Sequence, residues 1–459
     1  MLITNIKSLF PVLDPEVPFV AGKEMSSMKT IKDAYLIVER GEIVDFGKMS
    51  EQIISDDYEV FDAHDRLVMP TFCDSHTHIV YAGSREKEFV DKINGLSYEE
   101  IYKRGGGILN SAERLRKAGE NELFENAVQR IETAQSYGTG AMEIKSGYGL
   151  DLESELKMLR VIARLKDSSD VTIRATFLGA HAVPKEYTGR QSKYVDYLIR
   201  EMLPAVAEEK LADFVDVFCD KGFFTVAETG RILEAAAKYG LQPKIHANEL
   251  AVSGGVQVGI KHNALSVDHL EMIGDREIEA LKSQIVNYTA AQCEAAKYKA
   301  DRRSNTAECS VMKKKAIENR VAGSNTTSGK SHQITMPTVL PGAAFFLNLP
   351  LSPIRKMIDA GLPVALASDC NPGSSPSSNM QLILSMGCIR YRMTPEEAIY
   401  ATTINTACAM ELSDTLGSIT KGKKANLIIT RKMPSLEYLP YAYGENKAER
   451  VILGGKLCV

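Results

Sequence analysis

Residues 67–78, LVMPTFCDSHTH, run apolar from Leu67 to Cys73 and end in Asp74-Ser75-His76-Thr77-His78. This reads as a buried strand that delivers two histidines to its C-terminal end. Spaced by two, His76 and His78 share one face of an extended chain. The pattern of an apolar run closed by titratable residues recurs downstream, and eight strands are expected in all. They are Leu67–Ser75, Thr139–Lys145, Val171–Gly179, Phe214–Cys219, Pro243–Ala247, Ala264–Asp268, Ile334–Leu340 and Pro363–Ser368. Amphipathic stretches such as Leu152–Leu165, Lys193–Glu208 and Val226–Tyr239 separate them, the texture of βαβ units and a parallel sheet. Eight strands with crossovers favour an α/β chain folded as a (β/α)₈ TIM-like barrel over an open doubly wound sheet. No GxGxxG follows any of them, which argues against a dinucleotide fold.

Outward from this core, both ends have a different texture. Short strand-like runs fill Leu2–Phe10, Asp33–Glu39, Glu42–Gly47 and Tyr58–Asp62, with a hairpin turn at Glu39–Glu42. Ala425–Thr430 and Ala448–Cys458 return to it. A small β-sandwich domain built from residues 1–66 and 412–459 is expected beside a barrel of 67–411. One segment, about 285–333, is polar, with Arg302-Arg303, Lys313-Lys314-Lys315 and a Ser/Thr/Asn/Gly run from Gly323 to Ser331. It follows a helix expected over Glu277–Lys282 and reads as a solvated insertion on the bottom of the barrel, with a frayed helix at Ala290–Ala300. On that reading, Val286–His332 could be replaced by a short link, because loop closure depends only logarithmically on length.

The chain has 459 residues, beyond the size of one simple core, with an ordinary 44% hydrophobic and 25% charged composition. A formal net charge of −4 argues against nucleic-acid binding. The 8 cysteines form no CxxC pair, the opening Met1–Ile6 reads as a strand and not a secretory leader, and no run is long enough to span a membrane. A cytoplasmic enzyme acting on a small molecule is expected.

Catalytic groups of such barrels sit where the strands end. Here those ends carry His76 and His78, Lys145-Ser146-Gly147-Tyr148, His181, Cys219-Asp220, His246-Ala247-Asn248-Glu249, Asp268-His269 and Asp369-Cys370-Asn371. Five of the chain's 8 histidines fall in this set; His64, His262 and His332 do not. Three imidazoles and a carboxylate, His76, His78, His246 and Asp369, suit one zinc or iron ion with room for water. Such an ion brings the pKa of a bound water towards neutrality. Glu249 is placed to accept a proton, His269 to hydrogen-bond a carbonyl oxygen as charge builds on it, and Asp369 to shuttle a proton. Lys145 ends the second strand, not the fourth, and the lone Lys221 after the fourth does not imply a lysine bridging two metals.

These strand ends resemble the amidohydrolase superfamily. The longer words HTHIVYAGSREKEF, GGGI at Gly105–Ile108, EIKSGYGLDLESELKMLR, TFLGAHAVPKEY, KIHANEL, VDHL, LPGAAFFL and SDCNPGSSPSSNMQL resemble the imidazolonepropionases within it. The resemblance runs from the His-x-His to near Tyr443, broken by the polar insertion. It implies hydrolysis of 4-imidazolone-5-propanoate to N-formimidoyl-glutamate with one zinc or iron ion. It also implies substrate contacts at Arg85, Tyr148, His181, Glu249, Asn371, Gly373 and Ser374, and a homodimer by analogy. An arginine suits the propanoate tail, since it can grip a carboxylate with two parallel bonds. Asn248 and Cys370 depart from the family's more usual Asp and Phe, and the insertion has no counterpart. The competing readings are another amidohydrolase, such as a cyclic-amidine or nucleobase deaminase, and a non-catalytic scaffold. A deaminase would have no need of Arg85 or the Asn371–Ser374 loop, and a scaffold would be expected to have lost ligand histidines, whereas all are present.

Overall fold

The computed structural model describes residues 1–51, 58–96, 100, 106–303 and 334–458, with 290–303 described as backbone only. The N-terminal segment forms β1 (Leu2–Leu9), β2 (Ile31–Glu39), β3 (Glu42–Lys48) and β4 (Val60–Pro70). The middle forms β5 (Phe72–Thr77), β6 (Thr139–Lys145), β7 (Thr172–Ala180), β8 (Phe214–Cys219), β9 (Gln242–Ala247), β10 (Ser266–His269), β11 (Met336–Val339) and β12 (Ala365–Leu366). β13 (Leu427–Thr430), β14 (Ala448–Leu453) and β15 (Lys456–Leu457) complete the chain. β5 to β12 pair in chain order as one parallel sheet of eight strands, the expected barrel. The two ends of the chain interleave in a second, mixed sheet in the order β15-β14-β13-β4-β1-β2-β3. That sheet has an apolar core of its own, which includes Ile3, Leu36, Val68, Leu427 and Ile452.

The expected first strand, Leu67–Ser75, is two elements. Leu67–Pro70 ends β4 and pairs with β1 and β13 in the terminal sheet. Pro70 has no N–H to donate, and Thr71 sends its own to Asn426 O at 3.0 Å, so the chain crosses between sheets before β5 begins. Both halves are buried, so the apolar run hides the break.

The last strand is also shorter than expected, and closure passes to the residues beyond it. Asp369 N–H donates to His76 O and His78 N–H to Cys370 O, both at 2.9 Å, and Ser368 N–H donates to Asp74 Oδ1 at 2.9 Å. The seam between the first and last barrel strands is thus built from the residues that carry the candidate ligands.

The insertion begins differently from its expected form. One helix runs from Asp275 to Arg303, taking in both the short helix expected at Glu277–Lys282 and the frayed one at Ala290–Ala300. No Gly or Pro interrupts it, and Ala, Glu, Lys and Gln sustain it despite its polarity. Tyr288 packs against Phe19 with ring centroids 5.3 Å apart, beside Ile334 and Met336. Thr335 N–H donates to Gln284 Oε1 at 3.2 Å, which ties the two ends of the segment together. Removing Val286–His332 would therefore take away a packed aromatic ring, and the stretch is not a free loop from its first residue. Lys313–Lys315 and Gly323–Ser331 lie outside the described residues. Among the described residues, no helix is long and apolar enough to cross a membrane.

Candidate metal centre

The ends of β5, β9 and β10 and the segment after β12 converge at the C-terminal rim of the barrel. His76 and His78 leave β5 on one face, and their Nε2 atoms lie 3.3 Å apart. Asp369 Oδ1 is 3.6 Å from each. Donors about 2.1 Å from a tetrahedral ion stand roughly 3.4 Å from one another, so the triangle has the dimensions an ion requires. His246 stands beside His76, with ring centroids 4.5 Å apart. One ligand atom from each of His76, His78 and Asp369 falls within 4.8 Å of the others, and the same holds for His76, His246 and His269. The structure therefore gathers three of the four expected ligands directly and joins His246 to them through His76. It also brings His269 closer to the donors than its expected role at a carbonyl requires.

The donor chemistry fits an ion. Burial, then the charge of Lys145, holds His76 far below the ordinary imidazole range; burial, then His181, does the same for His78. Both rings are thus neutral and offer a lone pair, as ligation demands. Asp268 Oδ2 lies 2.6 Å from His76 Nδ1, and Asp216 Oδ2 lies 2.9 Å from His246 Nδ1. At His76 the hydrogen-bonded carboxylate fixes the proton on Nδ1 and turns Nε2 to the ion, while at His246 Asp216 is a close charge partner without an aligned hydrogen bond. Burial opposes charge on His246, but Asp216 outweighs it and the net shift is upward.

Beneath the rings lies a layer of buried charge. Lys145 Nζ is 2.5 Å from Glu143 Oε1 and 2.9 Å from Asp216 Oδ2. Lys244 pairs with Glu143 and donates to Ser75 O at 3.0 Å, while Thr176 Oγ1 donates to Glu143 Oε1 at 2.6 Å. Isolated charges would be untenable in so buried a place, and here each has a counter-charge and a hydrogen bond. Asp216→Asn should weaken metal affinity about 10–100-fold, because the ring it orients loses a charged partner. Titration against a competing chelator measures this, and unchanged affinity would show that Asp216 serves only the layer below.

The remaining expected residues ring the same mouth. Arg85 donates from Nε and Nη2 to Glu88 Oε2 at 2.9 and 2.5 Å, so it is not a free surface charge. A Cβ placed on Gly373 would come within 2.0 Å of Arg85 Nη1, so only glycine lets that guanidinium lie where it does. His181 Nδ1 faces Gly147 O at 3.0 Å; the carbonyl can only accept, so Nδ1 carries the proton and Nε2 is left as an acceptor. The His181 ring stacks on His78 at 5.3 Å, with Tyr148 at 5.4 Å from His181. Asn371 uses its amide within its own loop. Its Oδ1 accepts from Gly373 N–H and Ser374 N–H, both at 2.8 Å, and its Nδ2 donates to Asp369 O at 2.7 Å. Ser374 Oγ lies 3.4 Å from Asp369 Oδ2, on the side away from the histidines.

Glu249 follows a turn anchored by Asp220, which accepts from the N–H groups of Glu249 and Leu250 at 2.7 and 2.9 Å. Its carboxylate lies 3.7 Å from His269 Nδ1. Burial, then the charge of Asp369, pushes it up to about 8. Asn248, His269 and Asp369 all have positive φ, at 55°, 83° and 51°. Non-glycine residues seldom adopt this conformation, and here it bends the strand ends over the mouth. Of the two departures, Asn248 O accepts from Met272 N–H and its Oδ1 from Ser253 Oγ at 3.2 Å, while Cys370 O accepts from His78 N–H.

Sequence reasoning passed over Glu143, Asp216, Lys244, Glu88 and Glu271. Single charges inside apolar strands, as in FVDVFC and PKIHA, were the available signal for the first three. Glu271 is buried 3.8 Å from His269 Nδ1, and neither of its oxygens has a hydrogen-bond partner among the described residues.

An amidohydrolase family model matches residues 67–458. Imidazolonepropionase from Christiangramia forsetii is 48% identical over 459 residues, covering 100% of this chain and 99% of that protein. Imidazolonepropionase from Flavobacterium johnsoniae is 48% identical over 458 residues, covering 99% of each. Among solved structures, guanine deaminase from E. coli superposes with a TM-score of 0.66 at 13% identity, covering 100% of this chain and 98% of that one. A 5-methylcytosine deaminase from Klebsiella pneumoniae liganded with phosphonocytosine gives 0.65 at 16% identity, with 100% and 98% coverage. At such identities the structural likenesses speak for the fold alone.

Proposed function

The chain belongs to the amidohydrolase family, among its imidazolonepropionases, and we propose that it hydrolyses the ring amide C–N bond of 4-imidazolone-5-propanoate to N-formimidoyl-L-glutamate. The observation that carries this reading is the placement of Arg85 over Gly373, beside a cluster of buried metal donors. An acid-binding group next to a hydrolytic centre is what a small cyclic amide with a carboxylate tail requires.

His76, His78, His246 and Asp369 would hold one zinc or iron ion. When bound, the ion supplies Lewis acidity that brings a water's pKa towards neutrality. Arg85 grips the propanoate carboxylate, and Tyr148 and His181 flank the ring. The Asn371–Ser374 loop, with Gly373 and Ser374 facing the substrate, borders the other side. The water oxygen adds to the ring carbonyl carbon while Glu249 takes up its proton. His269 steadies the carbonyl oxygen as negative charge develops. The ring C–N bond then breaks, and Glu249 returns the proton to the departing nitrogen. Glu249 suits this part because it stands beside His269 and outside both groups of candidate donors, while Asp369 is committed to His76 and His78.

The test is direct. Metal-loaded protein mixed with freshly generated imidazolone propanoate should remove the substrate's ultraviolet absorbance, and no loss would refute the assignment. Arg85→Met removes a charge-assisted clamp worth roughly 1.5–3 kcal/mol, so kcat/KM should fall about 10–100-fold. An unchanged kcat/KM would mean the substrate's tail is held elsewhere.

A further inference from the structure

We propose that Glu88 is a positioning residue that selects substrates with an acidic tail, by holding Arg85 with one edge of its guanidinium occupied and the other free. This rests on the reading above, in which Arg85 grips the propanoate.

The geometry is specific. Both Nε and Nη2 of Arg85 donate to the same oxygen, Glu88 Oε2, which accounts for one edge of the planar group. Among the described residues, no hydrogen bond takes the edge formed by Nη1 and the second Nη2 hydrogen, which is the edge offered to a ligand. Nη1 is the atom that lies against Gly373, so the free edge faces the loop that also carries Asp369. Glu88 is itself held: Gly107 N–H lies 3.2 and 3.1 Å from its two oxygens, and Asn110 Nδ2 donates to Oε1 at 3.2 Å. Side-chain exposure is 10% for both Arg85 and Glu88, so the pair is not a mobile surface bridge. Burial opposes charge on Glu88, but Arg85 and these donors outweigh it and hold its carboxyl below the usual range. A free arginine would have to give up many rotamers to meet a small acid, whereas this one is fixed beforehand.

A carboxylate beside the clamp also repels an acidic substrate. Positioning should outweigh repulsion, because the donors around Glu88 offset much of its charge and because the substrate is presented with the opposite edge. The two effects predict opposite signs, so experiment separates them.

The test is a double-mutant cycle on metal-loaded protein, with E88Q and R85M alone and together. The substrates are the imidazolone propanoate and its propanamide counterpart, and metal content and thermal midpoint are followed throughout. E88Q is expected to raise KM for the acid about tenfold, with kcat changed less than about twofold. It should have no further effect in the R85M background, and none on the amide. Glu88→Asp, which keeps the charge at a shorter reach, should restore part of the loss. G373A probes the same clamp from its other side and should reproduce the raised KM, again only when Arg85 is present. That variant keeps the proposal testable if E88Q does not fold.

A lower KM in E88Q would show that repulsion dominates and overturn the proposal. An effect of equal size in the R85M background would also overturn it, since Glu88 would then act on the loop and not through Arg85. If R85M alone leaves the acid's KM unchanged, the reading of Arg85 fails instead, which is a different outcome.

Discussion

If the parent binds roughly one transition-metal ion per chain, as proposed, His246→Ala is expected to lose most of it, and with it more than about a thousandfold in turnover. The ring contributes one of the expected donors, and its centroid lies 4.5 Å from that of His76. Its loss leaves Asp216 without the imidazole it orients, though Lys145 still balances that carboxylate at 2.9 Å. The variant should therefore fold: β9 keeps its backbone pairing with β8 and β10, and the buried charges keep their partners. Elemental analysis and circular dichroism on the same sample separate metal loss from unfolding. Full occupancy in the variant, or two tightly held ions in the parent, would sink the single-ion reading.

Glu249→Gln should do the opposite to metal and much the same to rate. The substitution preserves shape and hydrogen bonding but removes the proposed proton acceptor, and such groups contribute about 10²–10⁴ in rate. The loss should fall on kcat, with metal content and KM little changed, because Glu249 lies outside both groups of candidate donors. Two results would count against it. A parallel fall in metal content would make Glu249 a ligand, and an undiminished kcat would move the base to His269 or Asp369.

How much of this is legible beforehand depends on what kind of signal each feature leaves. His76 and His78 announce themselves, because a two-residue spacing on a strand is a statement about direction. The layer under them is harder to see. Glu143, Asp216 and Lys244 sit in strands buried on both faces, where alternation gives no help and a single charge looks like an exposed position. The register supplies what spacing cannot: Asp216 pairs with Lys244, and His246 with Asp268, so the charges stack in levels inside the barrel. The division of Leu67–Ser75 between two sheets is hidden for the same reason, since both halves are apolar. The Asp275–Arg303 helix is polar on balance, so periodicity hides it and only the absence of any helix breaker marks it. Arg85 is the clearest case of a residue unreadable from its neighbours. Within SREKEF it looks like one charge among several, and only the fold sets it over Gly373.

The seam of the barrel has a consequence for the life of the protein in the cell. Its last strand is two residues long, and the hydrogen bonds that close it belong to His76, His78, Asp369 and Cys370. An ion gripped by the same side chains is a rivet across that joint, linking points separated by nearly the whole barrel sequence. Cross-links that close long loops restrict the unfolded chain the most, and a ligand that binds only the folded form shifts the balance further. Metal starvation would then do more than idle the enzyme: the joint would breathe, the edges of β5 and β12 would open, and cellular proteases would find a way in. Metal-free protein should accordingly be cut by protease faster than the loaded form.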